Sequence, residues 1–159
     1  MGKINCEQNK KIPAKRFVFL KHTADVKFRA YGVTLEKAFE NSALAMFSSM
    51  YCGKIKNAKT KKISVSAKSC ESLLYNFLEE LLFLLDSDNF FISKIKVKIN
   101  KINRINKINT TNKNFLEAEV YGDNAKNYPI GLDVKAVTYN SLFVKKIKNQ
   151  WVCQAVIDV

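Results

Sequence analysis

The stretch "FVFLKHTADVKFRAYG", Phe17 to Gly32, decides how the chain begins to fold. Val26, Phe28 and Ala30 fall on one face of an alternating run, and Lys27, Arg29 and Tyr31 fall on the other, as a period of two requires. The stretch therefore predicts a strand, a short turn through His22-Thr23-Ala24-Asp25, and a second strand that opens directly after Asp25. His22 is the only histidine in the chain.

Outward from that hairpin, Gly32 and Thr34 mark a turn and a helix cap, and Glu36 suits the positive end of the helix dipole. "LEKAFENSALAMFSSMY" carries Leu35, Ala38, Phe39, Ala45 and Met46 at helical spacing, which predicts a helix to about Tyr51. "KKISVSAK" alternates Ile63, Val65 and Ala67 with polar neighbours and reads as a third strand. Ser69 then caps a second helix, in which Leu74, Leu78 and Leu82 run beside Leu73, Phe77, Leu81 and Leu85, with Glu79 and Glu80 assigned to the wet side. "FFISKIKVKIN" and "FLEAEVYG" return to strand alternation, and two more strands close the chain around a polar turn near Lys148-Asn149. This order predicts an α+β fold, a two-layer sandwich of a mostly antiparallel sheet with two main helices packed on one face.

Two segments fall outside that pattern. Residues 1–15 read as a basic flexible tail, ahead of a single domain over 16–159. "NKINRINKINTTNKN", 100–114, places isoleucines at a period of three, which suits neither a regular strand nor an α-helix. It is expected to be an unstructured, Asn/Lys-rich insertion at a hairpin tip, although its cations also suit an RNA backbone.

With 159 residues and 47% hydrophobic content, the chain can bury a core without disulfide staples. No apolar run reaches the roughly 18 to 20 residues that span a bilayer. The first residues lack a signal-peptide core, so a soluble, intracellular protein is expected. The four cysteines are widely spaced, which disfavours a zinc site and leaves reduced thiols as the expectation. The net charge of +13 favours polyanions, RNA first among them, yet a coding sequence biased toward lysine and asparagine produces the same count. With five glycines and no phosphate-binding loop motif, nucleotide binding is not expected.

Chemistry is concentrated in few residues. Asp25 at a strand start and Asp158 with the Val159 carboxylate would form an oxygen-rich cluster for a hard cation if the first and last strands are neighbours. On spacing alone the plainer reading comes first, with Asp25 as a turn cap and Asp158 as a solvated chain end. "DSDNFFIS" lacks the glycine and closing glutamate of a calcium loop and reads as a helix end. His22 suits a general base, a metal ligand or a structural turn residue, and no nucleophile is marked beside it. Lys135 in "DVKAVTYN" sits among apolar residues and alternates with Val134 and Ala136, so it either projects from a packed wall or simply faces water.

"HTADVKFRAYGVTLEKAFENSALAMFSSM", "SLLYNFLEELLFL", "FFI", "DVKAVTY" and the terminal "VIDV", in this order over about residues 17–159, resemble the archease family. The resemblance implies an accessory protein rather than an enzyme. Such proteins activate the RtcB-type RNA-splicing ligase that joins tRNA halves, by promoting its guanylylation and multiple turnover. It further implies a divalent metal site at Asp25, Asp158 and Val159, for Ca2+ or else Mg2+ or Mn2+. Ligase activation would depend on Lys135, Asp25 and His22, in the cytoplasm, the nucleus or both, with no membrane involved. Lys21 departs from the family, where an acidic residue often precedes the histidine, and its ammonium would weaken cation binding if it turned toward the site. Two other classes compete: a basic RNA-binding module that delivers RNA to a processing enzyme, and a metal-dependent hydrolase built on Asp25 and Asp158.

Overall fold

The structure, a computed structural model, describes residues 15–106 and 109–159, without the side chains of 102–112. The basic tail expected over 1–15 lies outside the described residues apart from Lys15. The elements follow in the order β1 (Phe17–Leu20), β2 (Val26–Gly32), α1 (Leu35–Met50), β3 (Lys59–Ala67), α2 (Cys70–Asp88), β4 (Phe90–Asn106), β5 (Asn109–Asn124), β6 (Ala136–Ile147) and β7 (Gln150–Asp158).

The helices start where their caps dictate. Thr34 Oγ1 accepts from the Lys37 N–H and Ser69 Oγ from the Ser72 N–H, each at 3.1 Å, so a backbone donor that the first helical turn leaves unpaired is satisfied. α2 stops at Asn89, which takes the left-handed conformation (φ 50°) that asparagine tolerates better than most residues. Leu73, Leu74, Phe77, Leu78 and Leu81 form its fully buried stripe.

The α+β sandwich is present, with the sheet divided in two: a four-stranded sheet β1-β2-β7-β6 and a three-stranded sheet β3-β5-β4, every pair antiparallel. Phe28, Ala155 and Ile157 of the first sheet share one core with Leu116, Ala118 and Val120 of the second and with the apolar stripes of both helices. Gly32 makes the tight junction between β2 and α1 possible, because a Cβ there would stand 2.3 Å from the Ala38 nitrogen.

Each helix also ties down an edge strand. Glu40 Oε1 accepts from the Val97 N–H of β4 at 3.0 Å, and Glu79 Oε1 accepts from the Val137 N–H of β6 at 2.6 Å. Glu79 is therefore half-buried structural machinery rather than the solvent-facing charge expected from its place on the helix. The unpaired N–H row of an edge strand attracts a carboxylate, and a charge-assisted hydrogen bond offsets the partial burial.

Two further expectations are corrected. The β4–β5 ladder continues through the supposed insertion, from Asn100↔Phe115 to Asn106↔Asn109, so the isoleucine period does not interrupt the strands. Ladder hydrogen bonds belong to the backbone, and a register set by the buried alternation of Ile95 and Val120 can be extended without any side-chain pattern. Of the cysteines, Cys70 and Cys153 are free as expected, whereas Cys52 is disulfide-bonded.

Asp123, only 7% exposed, accepts from Tyr128 Oη at 2.7 Å, from the Asn124 N–H at 2.8 Å and from Asn127 Nδ2 at 3.4 Å. The Tyr128 hydroxyl foremost, then the Asn124 N–H, holds this carboxyl below its ordinary value of 3.8. A lowered folded-state pKa means that the stabilisation is complete above that ordinary value and disappears as pH falls through the folded one. Urea unfolding should therefore show a steeper loss of stability below about pH 4 for the natural chain than for Asp123→Asn, which starts from lower stability at pH 7. Parallel pH profiles for the two proteins would contradict this assignment.

Candidate functional site

Three strand ends meet at one margin of the four-stranded sheet. β2 begins at Val26 opposite Ile157, and β6 begins at Ala136 opposite Asp158. Asp25 directly precedes the first of these pairs on β2, and Asp158 directly follows it on β7. The Lys135 N–H donates to the Asp158 carbonyl at 2.9 Å, which fixes the residue before β6 against the end of β7. The first-hairpin aspartate, the chain's last two residues and the lysine of "DVKAVTY" are thus brought to the same margin from three separate parts of the sequence. Asp158 and Lys135 are exposed, while Asp25 and Val159 are half-buried. Lys135 therefore faces water, at the margin of the site.

His22 lies in the loop that delivers Asp25. Its Nδ1 is buried without a hydrogen-bond partner, and among the described residues the other such side-chain atom is Thr138 Oγ1. Thr138 pairs with Val156, two residues before Asp158, so both orphaned atoms belong to the same end of the same sheet. Buried polar groups are almost always paired, so two exceptions at one margin mark it as a place where water or another molecule can supply a hydrogen bond. Thr138 was within the quoted motif, but nothing in one sequence distinguishes a threonine that packs from one that is left unpaired.

The chemistry on offer is that of hard oxygen donors beside a cation. The ion pairs among the described residues, Lys37 with Glu40 and Lys61 with Asp88, do not involve Asp25 or Asp158. Among the described residues, the carboxylates of Asp25 and Asp158 are therefore not committed to an ion pair. No group of three or more His, Cys, Asp or Glu side chains among the described residues could hold a metal ion. A site at this margin would need the Val159 carboxylate as well as both aspartates. Such a set fits calcium or magnesium, which take oxygen ligands and complete their shells with water or a partner's groups. Lys21 is exposed, so its ammonium is solvated and its repulsion screened.

β6 carries a second irregularity. Its register with β7 shifts between Thr138 and Phe143, and Ser141 takes a φ of 59°. Gln154, 3% exposed, repairs the break: its Nε2 donates to the Ser141 carbonyl at 2.6 Å while its Oε1 accepts from Arg29 Nε at 2.8 Å. The bulge lies between Lys135 and the far end of β6 and separates two different surfaces on one strand.

Comparison with known proteins places this architecture. The model of the archease protein family matches residues 17–159. Protein archease of Methanosarcina acetivorans is 34% identical over 148 residues, covering 91% of this chain and 97% of that protein. Protein archease of Pyrococcus abyssi is 36% identical over 151 residues, covering 91% and 99%. The solution structure of Methanobacterium thermoautotrophicum protein 1598 superposes with a TM-score of 0.70 at 28% identity, over 91% of this chain and 99% of that one. The crystal structure of a Thermotoga maritima archease, described as a possible chaperone, shares the fold with a TM-score of 0.56 at 16% identity, over 96% and 100%. Among the described residues, no helix is long and apolar enough to cross a membrane.

Proposed function

The chain belongs to the archease family, and we propose that it is an accessory protein that activates an RtcB-type RNA-splicing ligase, promoting guanylylation and multiple turnover as tRNA halves are joined. The observation that carries this reading is the convergence of Asp25, Asp158 and Lys135 on one open sheet margin. A margin of that kind suits docking at the mouth of an active site better than enclosing a substrate.

Asp25, Asp158 and the Val159 carboxylate would hold a divalent cation, Ca2+ first and Mg2+ or Mn2+ as alternatives. When bound, the cation would supply positive charge for a phosphate or carboxylate of the partner. The protein's own residues divide the remaining work. The Asp158 carbonyl anchors Lys135 through its backbone, so the exposed ammonium reaches outward from a fixed base and meets a phosphate as a point charge. His22 sets the loop that positions Asp25, and its unpaired Nδ1 can take a hydrogen bond when the margin is covered. The test is ligation of cleaved tRNA halves by the cognate ligase at limiting concentration. Several joined products per ligase are expected with this protein and about one without it. Equal turnover numbers would refute the proposal.

A further inference from the structure

At the opposite end of the same sheet, on the face turned away from the helices, lies a groove of about 700 Å3 lined by Arg29, Tyr31, Phe143, Lys145 and Lys148 among others. Phe28, Cys153 and Ala155 point into the core, so by alternation their neighbours Arg29, Val152 and Gln154 point out. The register sets Arg29, Gln154 and Phe143 side by side across β2, β7 and β6, and in the next outward row Tyr31, Val152 and Lys145.

The groove combines flat rings with cations. The Lys145 ammonium stands 4.8 Å and the Arg29 guanidinium 5.7 Å from the centre of the Phe143 ring. Arg29 is held by its Nε bond to the buried Gln154, so its plane is a fixed part of the surface. Among the described residues, no carboxylate lines the groove and none of these cations belongs to an ion pair. Val33 and Ile147 at the rim are 81% and 50% exposed. A surface that is positive, aromatic and without a counter-charge complements a strand of bases joined by phosphates.

The geometry points to this groove as a binding site for single-stranded RNA, with bases stacking on Phe143, Tyr31 and the Arg29 plane and phosphates meeting Lys145 and Lys148. Unpaired bases present the flat faces that such rings require, which a duplex hides and an acidic peptide lacks. The inference does not depend on the ligase, and it places RNA on the folded sheet rather than on the basic tail or the Asn/Lys-rich segment.

The experiment is fluorescence anisotropy of the full chain with a labelled oligouridylate of about ten nucleotides, within the usual range for such surfaces, titrated at several salt concentrations. Phe143→Leu should weaken binding by about 5- to 150-fold with an unchanged salt slope. Joint substitution Lys145→Ala and Lys148→Ala should lower the slope by about 1.4, since each contacted phosphate contributes about 0.7. Lys94→Ala with Lys96→Ala, an equal loss of charge on exposed β4 positions, should do neither. If that control pair weakens binding as much, if folded Phe143→Leu binds like the natural chain, or if RNA does not bind, the proposal is overturned. Phe143-dependent binding of an oligoglutamate as tight as that of RNA also overturns it, in favour of an acidic protein partner. Should Phe143→Leu fail to fold, the two lysine pairs decide the matter alone.

Discussion

Asp25→Asn and Lys135→Ala are each expected to return multiple-turnover ligation to the level of the ligase alone, a loss of about 100-fold or more in the activated rate, with unchanged unfolding midpoints. The two substitutions act on opposite charges. Asp25→Asn keeps the shape and a hydrogen-bonding oxygen but removes an anion from a margin whose two aspartates are absent from the ion pairs recorded among the described residues. Lys135→Ala keeps the backbone bond to the Asp158 carbonyl, since that bond uses the main-chain N–H, and removes only the exposed ammonium. Substitution at an exposed position such as Lys135 changes stability by about 0.5 kcal/mol or less, and at half-buried Asp25 the near-isosteric asparagine keeps the packing, so unchanged midpoints in both variants separate loss of activation from unfolding. A divalent cation should also raise the thermal midpoint of the natural chain and not that of Asp25→Asn, because a ligand that binds only the folded state stabilises it. Full activation by both variants would remove the margin from the mechanism.

The elements of this fold were legible because their signals are local. The alternation of Val26, Phe28 and Ala30, the caps Thr34 and Ser69, and the leucine stripe of α2 each depend on residues within one or two turns of each other. What could not be read was the pairing of distant strands. β2 meets β7 with Arg29 bonded to Gln154 across 125 positions, and no local preference encodes that partnership. The site shares this limit: its residues were named individually, and their meeting was made conditional on the first and last strands being neighbours, whereas the assembled sheet places β2, not β1, beside β7. Glu79 was misplaced because helical spacing sorts residues by hydropathy and does not reveal an edge strand waiting with an unpaired N–H. The strands running on to Asn106 and Asn109 were missed because a backbone ladder can outlast the side-chain pattern that starts it. The groove on the outer face escaped for a different reason. Arg29 and Phe143 look like ordinary alternating strand residues until the β6 bulge and the buried Gln154 set them together.

Phe77→Ala should produce the largest loss of stability, about 3–5 kcal/mol. Phe77 is fully buried, and its ring centre lies 5.8 Å from that of Phe39, so the pair is a direct bond of packing between α2 and α1. The helices join two sheets that have no strand pairing with each other in the sheet order, and the sandwich therefore depends on helix packing more than a single continuous sheet would. For a domain of this size the thermal midpoint should fall by roughly 6–20 °C, a large share of the margin that folded proteins possess. Phe77→Leu, which retains most of the apolar volume, should recover most of it. A midpoint within about 2 °C of the natural value, well short of the expected fall, would show that the two helices are held by other contacts. At temperatures well below its midpoint, Phe77→Ala should still activate the ligase, because the cavity leaves the ladder between β2, β7 and β6 intact. If activation fails while the protein remains folded, the contact that transmits the damage is Glu79, two residues along the same helix, whose carboxylate holds the Val137 N–H one residue from the start of β6.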